Sequence, residues 1–146
     1  MKSELQEQMN QGLDEARRGE TVLAQIHLEK VLQQSRHPEV LAWYGFCLAR
    51  NKGAFIQGIE LCKEALRAAP DSPDIYLATG RIYLLAGRRR SAISAFNKGL
   101  KMGRSDAIVG QLQRIGLRRK PLFSFLDRDH FLNVYVGLLL SYLKSR

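Results

Sequence analysis

The 146 residues include only two cysteines, Cys47 and Cys62, and no Cys/His cluster at zinc spacing. A disulfide framework and a structural zinc site are therefore not expected, and a reducing compartment suits the chain. The N-terminal stretch MKSELQEQMNQG lacks the apolar core of a signal peptide, so the expected location is the cytoplasm. Long hydrophobic runs are also missing. The densest apolar stretch, Phe131 to Leu143, is interrupted by Asn133 and Gly137, and falls short of the roughly 20 residues needed to cross a bilayer. Strict apolar/polar alternation appears over no convincing length, which argues against strands. A phosphate-binding glycine loop with its lysine, a dinucleotide fingerprint and an HExxH helix are likewise absent. The three histidines, His27, His37 and His130, are scattered, and no metal or cofactor is expected. His27 is expected on the surface, and the neighbouring acids Asp14 and Glu15 on a solvated helix face. The chain therefore reads as a non-enzyme.

Acidic residues thin out toward the C-terminus. The net charge of +9 divides into −2 over 1–34, +1 over 35–72, +5 over 73–106 and +5 over 107–146. Such a field favours acidic partners of any kind without choosing among protein, nucleic acid and membrane. A composition of 45% hydrophobic and 25% charged residues is that of a globular domain able to bury a core.

What is present is a period. Gly19, Gly53 and Gly87 are spaced by 34 residues, and the same step relates Ala24, Gly58 and Ala92, then Leu28, Cys62 and Phe96, then Leu32, Leu66 and Leu100. Repetition at this length marks stacked supersecondary units. Each unit reads as two helices. Apolar residues at Leu41, Tyr44, Phe46 and Leu48, then at Phe55, Ile59, Cys62 and Leu66, lie close to helical spacing. Gly53 divides the two runs and Pro70 follows the second, as helix stop signals do. Small residues at 24, 58 and 92 would let paired helices approach closely. One helical hairpin cannot cover its own apolar face, so three would stack into a continuous core.

With this period the chain resembles the tetratricopeptide repeat family. The unit from Pro73 matches that family's signature at Tyr76, Gly80, Tyr83, Gly87, Ala92 and Phe96. The unit from Glu39 keeps Gly53, Gly58, Ala65 and Pro70 but carries Phe46 and Ala49 where the family has Gly and Tyr. The unit from Leu5 keeps Gly12, Gly19 and Ala24. The resemblance implies an all-α fold: a right-handed superhelical stack of three helix-turn-helix units (5–38, 39–72 and 73–106), followed over 107–146 by a capping helix, an apolar connector and an apolar C-terminal helix.

It also implies a concave groove lined by the first helix of each unit. In register, that lining is Met9, Leu13 and Arg17, then Trp43, Cys47, Arg50 and Asn51, then Leu77, Arg81, Leu84 and Leu85. These would form an apolar floor with three arginines, suited to a peptide or helix with apolar anchors and some acidic residues. The competing reading makes Trp43, Leu77 and Leu13 core. On the groove reading, replacing Trp43 and Arg81 by alanine removes partner capture and leaves helical content nearly unchanged. The family's clamp for acidic chaperone tails uses Lys and Asn at places held here by Met9, Trp43, Tyr44 and Ala78, so that partner is disfavoured.

Ile108, Leu112 and Ile115 mark the capping helix, and Leu122, Phe123, Phe125 and Leu126 the connector. The last helix is apolar almost all round, with Phe131, Val134, Tyr135, Leu138, Leu139 and Tyr142 as candidate self-association residues. Three readings stay open for it: packing within its own chain, pairing in a homodimer, or docking on a membrane or separate partner. The resulting expectation is a protein-interaction scaffold. Its alternative is a nucleic-acid-associated protein using Arg88 to Arg90 and Arg118 to Lys120, disfavoured because no aromatics are interleaved with those clusters.

Overall fold

Glycine conformations organise the chain. Gly19, Gly53 and Gly87 have φ of 88°, 68° and 74°, a region open to glycine without a side-chain clash. At each of them one helix ends and the next begins. The return is closed by backbone bonds: Glu20 N–H donates to Glu15 C=O (2.8 Å), and Arg88 N–H to Tyr83 C=O (2.8 Å). These satisfy carbonyls that a helix end leaves open.

The computed structural model describes residues 2–118. Among them are seven helices and no strand: α1 (Lys2–Arg18), α2 (Thr21–Leu32), α3 (Pro38–Lys52), α4 (Phe55–Ala68), α5 (Pro73–Leu85), α6 (Arg89–Met102) and α7 (Asp106–Arg118). Pro38 and Pro73 open α3 and α5 at the helix position where a missing N–H costs nothing. The Ser105 hydroxyl accepts from Ile108 N–H (3.3 Å) at the start of α7.

α1 pairs with α2, α3 with α4 and α5 with α6, and α3 also packs on α1, α2 and α5. The fold is an all-α stack of helical hairpins. Helix α3 lies at its centre, which explains why it lacks a single apolar stripe: every residue from Val40 to Ala49 except Tyr44 is buried. The largest fully buried side chains include Trp43, Phe46, Phe96, Leu28, Ile75 and Ile82.

Close approach works as the small-residue register requires. A Cβ on Gly45 would lie 2.7 Å from the Gly58 carbonyl oxygen, and one on Gly58 2.7 Å from that of Gly45. Ala24 and Ala92 are fully buried. Residues up to Val109 form one compact unit, and the rest of α7 belongs to a second. The expected connector and last helix, with Phe131, Val134, Tyr135, Leu138, Leu139 and Tyr142, lie outside the described residues.

Candidate functional site

Helix α3 adjoins both α1 and α5, and a polar cluster ties the three together. Arg17, in the last turn of α1, donates to both oxygens of Asp74 in the first turn of α5 (Nε to Oδ1 3.2 Å, Nη2 to Oδ2 2.7 Å). Trp43 Nε1 in α3 donates to the same Oδ2 at 2.9 Å. Arg81 Nη1 donates to the Arg17 carbonyl at 2.9 Å, satisfying an acceptor that the end of α1 leaves open.

The two guanidiniums flank the Trp43 ring, at 5.9 Å for Arg17 and 5.4 Å for Arg81, and Arg81 also lies 4.4 Å from the Phe46 centroid. The Trp43 and Phe46 rings meet edge to face at 5.5 Å. Burial opposes the charge on Arg17, but the bond to Asp74 and the charges of Asp74, Glu39 and Asp14 outweigh it and hold its pKa above the ordinary value.

This geometry corrects the expected groove floor. Trp43 and Cys47 are 0% exposed, Leu13 4% and Leu77 5%. All four are core, because α3 is covered on several sides. Arg17 is engaged with Asp74 and Asp14 rather than held out for a ligand. Asn51 is exposed but spends its amide on the chain: Nδ2 donates to the Thr21 carbonyl (3.0 Å) and to Gln25 Oε1 (2.7 Å), while Oδ1 accepts from the Thr21 hydroxyl (2.7 Å).

The remaining candidates keep accessible surface. Met9, Arg81 and Leu84 are half-buried, and Arg50 and Leu85 are exposed. The Arg50 guanidinium lies against Gly19 and makes no ion pair among the described residues.

Comparison with known proteins matches residues 51–114 to a family model described as tetratricopeptide repeat. Over those residues the chain matches the tetratricopeptide repeat. The stack is also similar to the tetratricopeptide repeat domain of Sgt2 from Aspergillus fumigatus, with a TM-score of 0.61 and 18% identity over 79% of this chain and 78% of that one. At that identity the likeness speaks for the fold. Comparison with curated proteins finds no match. Among the described residues no helix is long and apolar enough to cross a membrane, and no His, Cys, Asp and Glu cluster has the arrangement of a metal site.

Two further features of the helical stack escaped sequence reasoning. Glu15 does not lie on a solvated face: its side chain is 5% exposed and its Oε2 is 2.7 Å from His27 Nδ1. Gln11 Nε2 donates to Glu15 Oε1 (3.1 Å), so both carboxylate oxygens have partners. His27 accordingly bridges α2 to α1 as a packing element. Nothing local announces this pair, because its members stand on different helices.

The second concerns Cys47 and Cys62, both free and buried. Burial pushes each thiol up to about 12; for Cys47 the charges of Arg81 and Arg50 pull the other way without offsetting it. The Cys62 thiol donates to the Ala42 carbonyl at 3.8 Å. Only the thiolate attacks a thiol reagent. At about pH 8, native protein should therefore leave both cysteines unlabelled over a period that fully labels the urea-unfolded chain. The neutral thiols' contribution to stability should persist below their ordinary pKa and be lost as pH rises toward 12. Fast native labelling of either residue, read by mass spectrometry, would contradict this packing.

Proposed function

We propose that the protein is a non-enzymatic interaction scaffold that holds a partner peptide or helix on the face shared by α1, α3 and α5, near the C-terminal ends of α3 and α5. The reading is supported by accessible side-chain surface on Arg50, Leu84 and Leu85, together with a cluster that pins the three helices together. A preorganised surface loses little freedom on binding. Arg50 supplies the cation and the leucines the apolar contact, so the partner combines apolar anchors with acidic residues. The buried Trp43 acts here by positioning Arg17 and Arg81 rather than by touching the ligand.

Self-association through Phe131, Val134, Tyr135, Leu138, Leu139 and Tyr142 is a further part of the proposal, motivated by a sequence that is apolar almost all round a helix.

Affinity capture from native cells with Arg50→Glu/Leu85→Asp as the control tests the groove. Both positions are exposed, so the variant should fold normally and lose the partners that the parent protein retains. Retention of the same partners by the variant would place binding elsewhere. The mass in solution of a Leu138→Asp/Leu139→Asp variant tests self-association separately, with conversion of a dimer to a monomer as the expected result. A salt-resistant affinity for mixed-sequence RNA, lost on neutralising Arg88 to Arg90, would favour the nucleic-acid reading instead.

A further inference from the structure

On α4 and α6, away from the residues just proposed, a second surface has the features of a docking site. Both helices rest on α5, and between them runs an open cleft of about 380 Å³. Its apolar lining comes from Ile59 and Leu66 of α4, Ala95 of α6 and the rings of Tyr76 and Tyr83 of α5. A neighbouring hollow continues it past Phe55 and Ile56, the latter 84% exposed. The two tyrosines stand seven residues apart on one helix, two turns or about 10 Å along its axis. They occupy the register places that α3 fills with the buried alanines Ala42 and Ala49. The α5 helix therefore offers half-buried rings where the previous hairpin offers methyl groups.

The rim is cationic. Lys63, Arg90 and Lys98 border the cleft and Arg88 its continuation. The acid at this rim, Glu60, is 3.5 Å from Lys63. Helix α6 contains no Asp or Glu at all. The preceding pair of helices differs: Arg36, just after α2, is joined to Glu64 of α4 at 2.7 Å, and the Tyr44 hydroxyl donates to Glu29 at 3.5 Å. In that interval the chain supplies its own complementary charge; around the α4 and α6 cleft Glu60 alone faces Lys63, Arg88, Arg90 and Lys98, so further acid has to come from outside.

We infer that the cleft between α4 and α6 docks a short amphipathic helix of a partner protein, apolar on the face that meets Tyr76, Tyr83, Ile59 and Leu66 and acidic on its flanks. Two helical walls over an apolar floor are the setting for a helix in a groove. Flanking carboxylates complement the rim and set orientation and association rate. A single-stranded nucleic acid would meet the cations and the rings but leave Ile56, Ile59 and Leu66 facing polar sugar and phosphate, so the aliphatic lining favours protein.

The test uses the full chain and a fluorescein-labelled synthetic helix carrying leucines at helical spacing on one face and glutamates beside them. Anisotropy should report binding that weakens with salt. Tyr83→Ala, and separately Arg90→Glu/Lys98→Glu, should each weaken it by on the order of tenfold or more. Arg90 and Lys98 are exposed, so the charge reversal tests the surface without disturbing the core, and Arg50→Glu should leave binding intact. No binding of this peptide, equal binding of a version with lysines for glutamates, or insensitivity to both cleft variants would overturn the inference. Loss through Arg50→Glu alone would overturn it while leaving the α1, α3 and α5 reading standing. A single-stranded RNA that binds in place of the peptide and is lost with Arg90→Glu/Lys98→Glu would assign the cleft to nucleic acid instead.

Discussion

Trp43→Ala is expected to cost about 3–5 kcal/mol, the range for deleting a large buried aromatic, against a total stability of about 5–15 kcal/mol for a domain. The ring is fully buried in the helix that touches the most neighbours. Its removal also takes away the N–H that Asp74 accepts and the face that Arg17 and Arg81 flank. A stack this small has little reserve, so urea unfolding followed by far-UV circular dichroism should show a large drop in midpoint or loss of the folded baseline. Trp43→Phe separates the contributions. It keeps most of the packing and loses the hydrogen bond to Asp74, at an expected cost of about 1–2 kcal/mol. If Trp43→Ala unfolded at the parent midpoint, the residue would be a groove residue after all. The groove reading of the sequence expects that intact helical content, and the burial of Trp43 reverses it.

That reversal shows where sequence reasoning stops. The hairpins were legible because their determinants are local or periodic: glycines that divide one helix from the next, a proline that follows a helix, and small residues where helices cross. Gly19, Gly53 and Gly87 identify the turns without any knowledge of what packs on them. The facing of a first helix is different. Whether Trp43 looks out or in depends on how α1, α2 and α5 cover α3, and that follows from the stack rather than from the helix itself. The partner of Arg17 is just as hidden, since Asp74 lies 57 residues away. Charge counting found the basic C-terminal half but could not show that α4 and α6 would stand apart with tyrosines between them. Arg88 to Arg90 stand out in the sequence as a basic cluster, but that Arg88 and Arg90 border a cleft depends on α4 lying opposite them.

The two surfaces also differ in how the chain has treated its own charge. On the α1, α3 and α5 face Arg17 is paired bidentately inside the chain, which makes that region rigid and leaves Arg50 as the accessible cation. Around the α4 and α6 cleft the cations outnumber the acid, so binding there should depend more steeply on salt. Taken together, the two proposals predict two ligands held without competition between them.

Gly80→Phe is expected to destabilise by about 3 kcal/mol or more, at or beyond the upper end for overpacking, although a helical glycine is intrinsically unfavourable by about 1 kcal/mol. Even a Cβ at Gly80 would overlap the ring of Phe96, which is fully buried and has nowhere to move. The first unit uses the same arrangement with a smaller partner, where a Cβ on Gly12 would lie 2.8 Å from Leu28 Cδ2. The second unit inverts it: in register with Gly80 and Phe96 stand Phe46 and Cys62, both buried. The large residue has changed helices while the small one took its place opposite. Phe96→Cys alone should leave a cavity and cost about 3 kcal/mol. Combining it with Gly80→Phe transplants the second unit's solution into the third, and the double variant should be more stable than the two separate losses predict. The expected coupling is about 1–3 kcal/mol, read from a double-mutant cycle in urea. Additive losses would mean that the two positions do not share one packing volume, and that the exchange between units is coincidental.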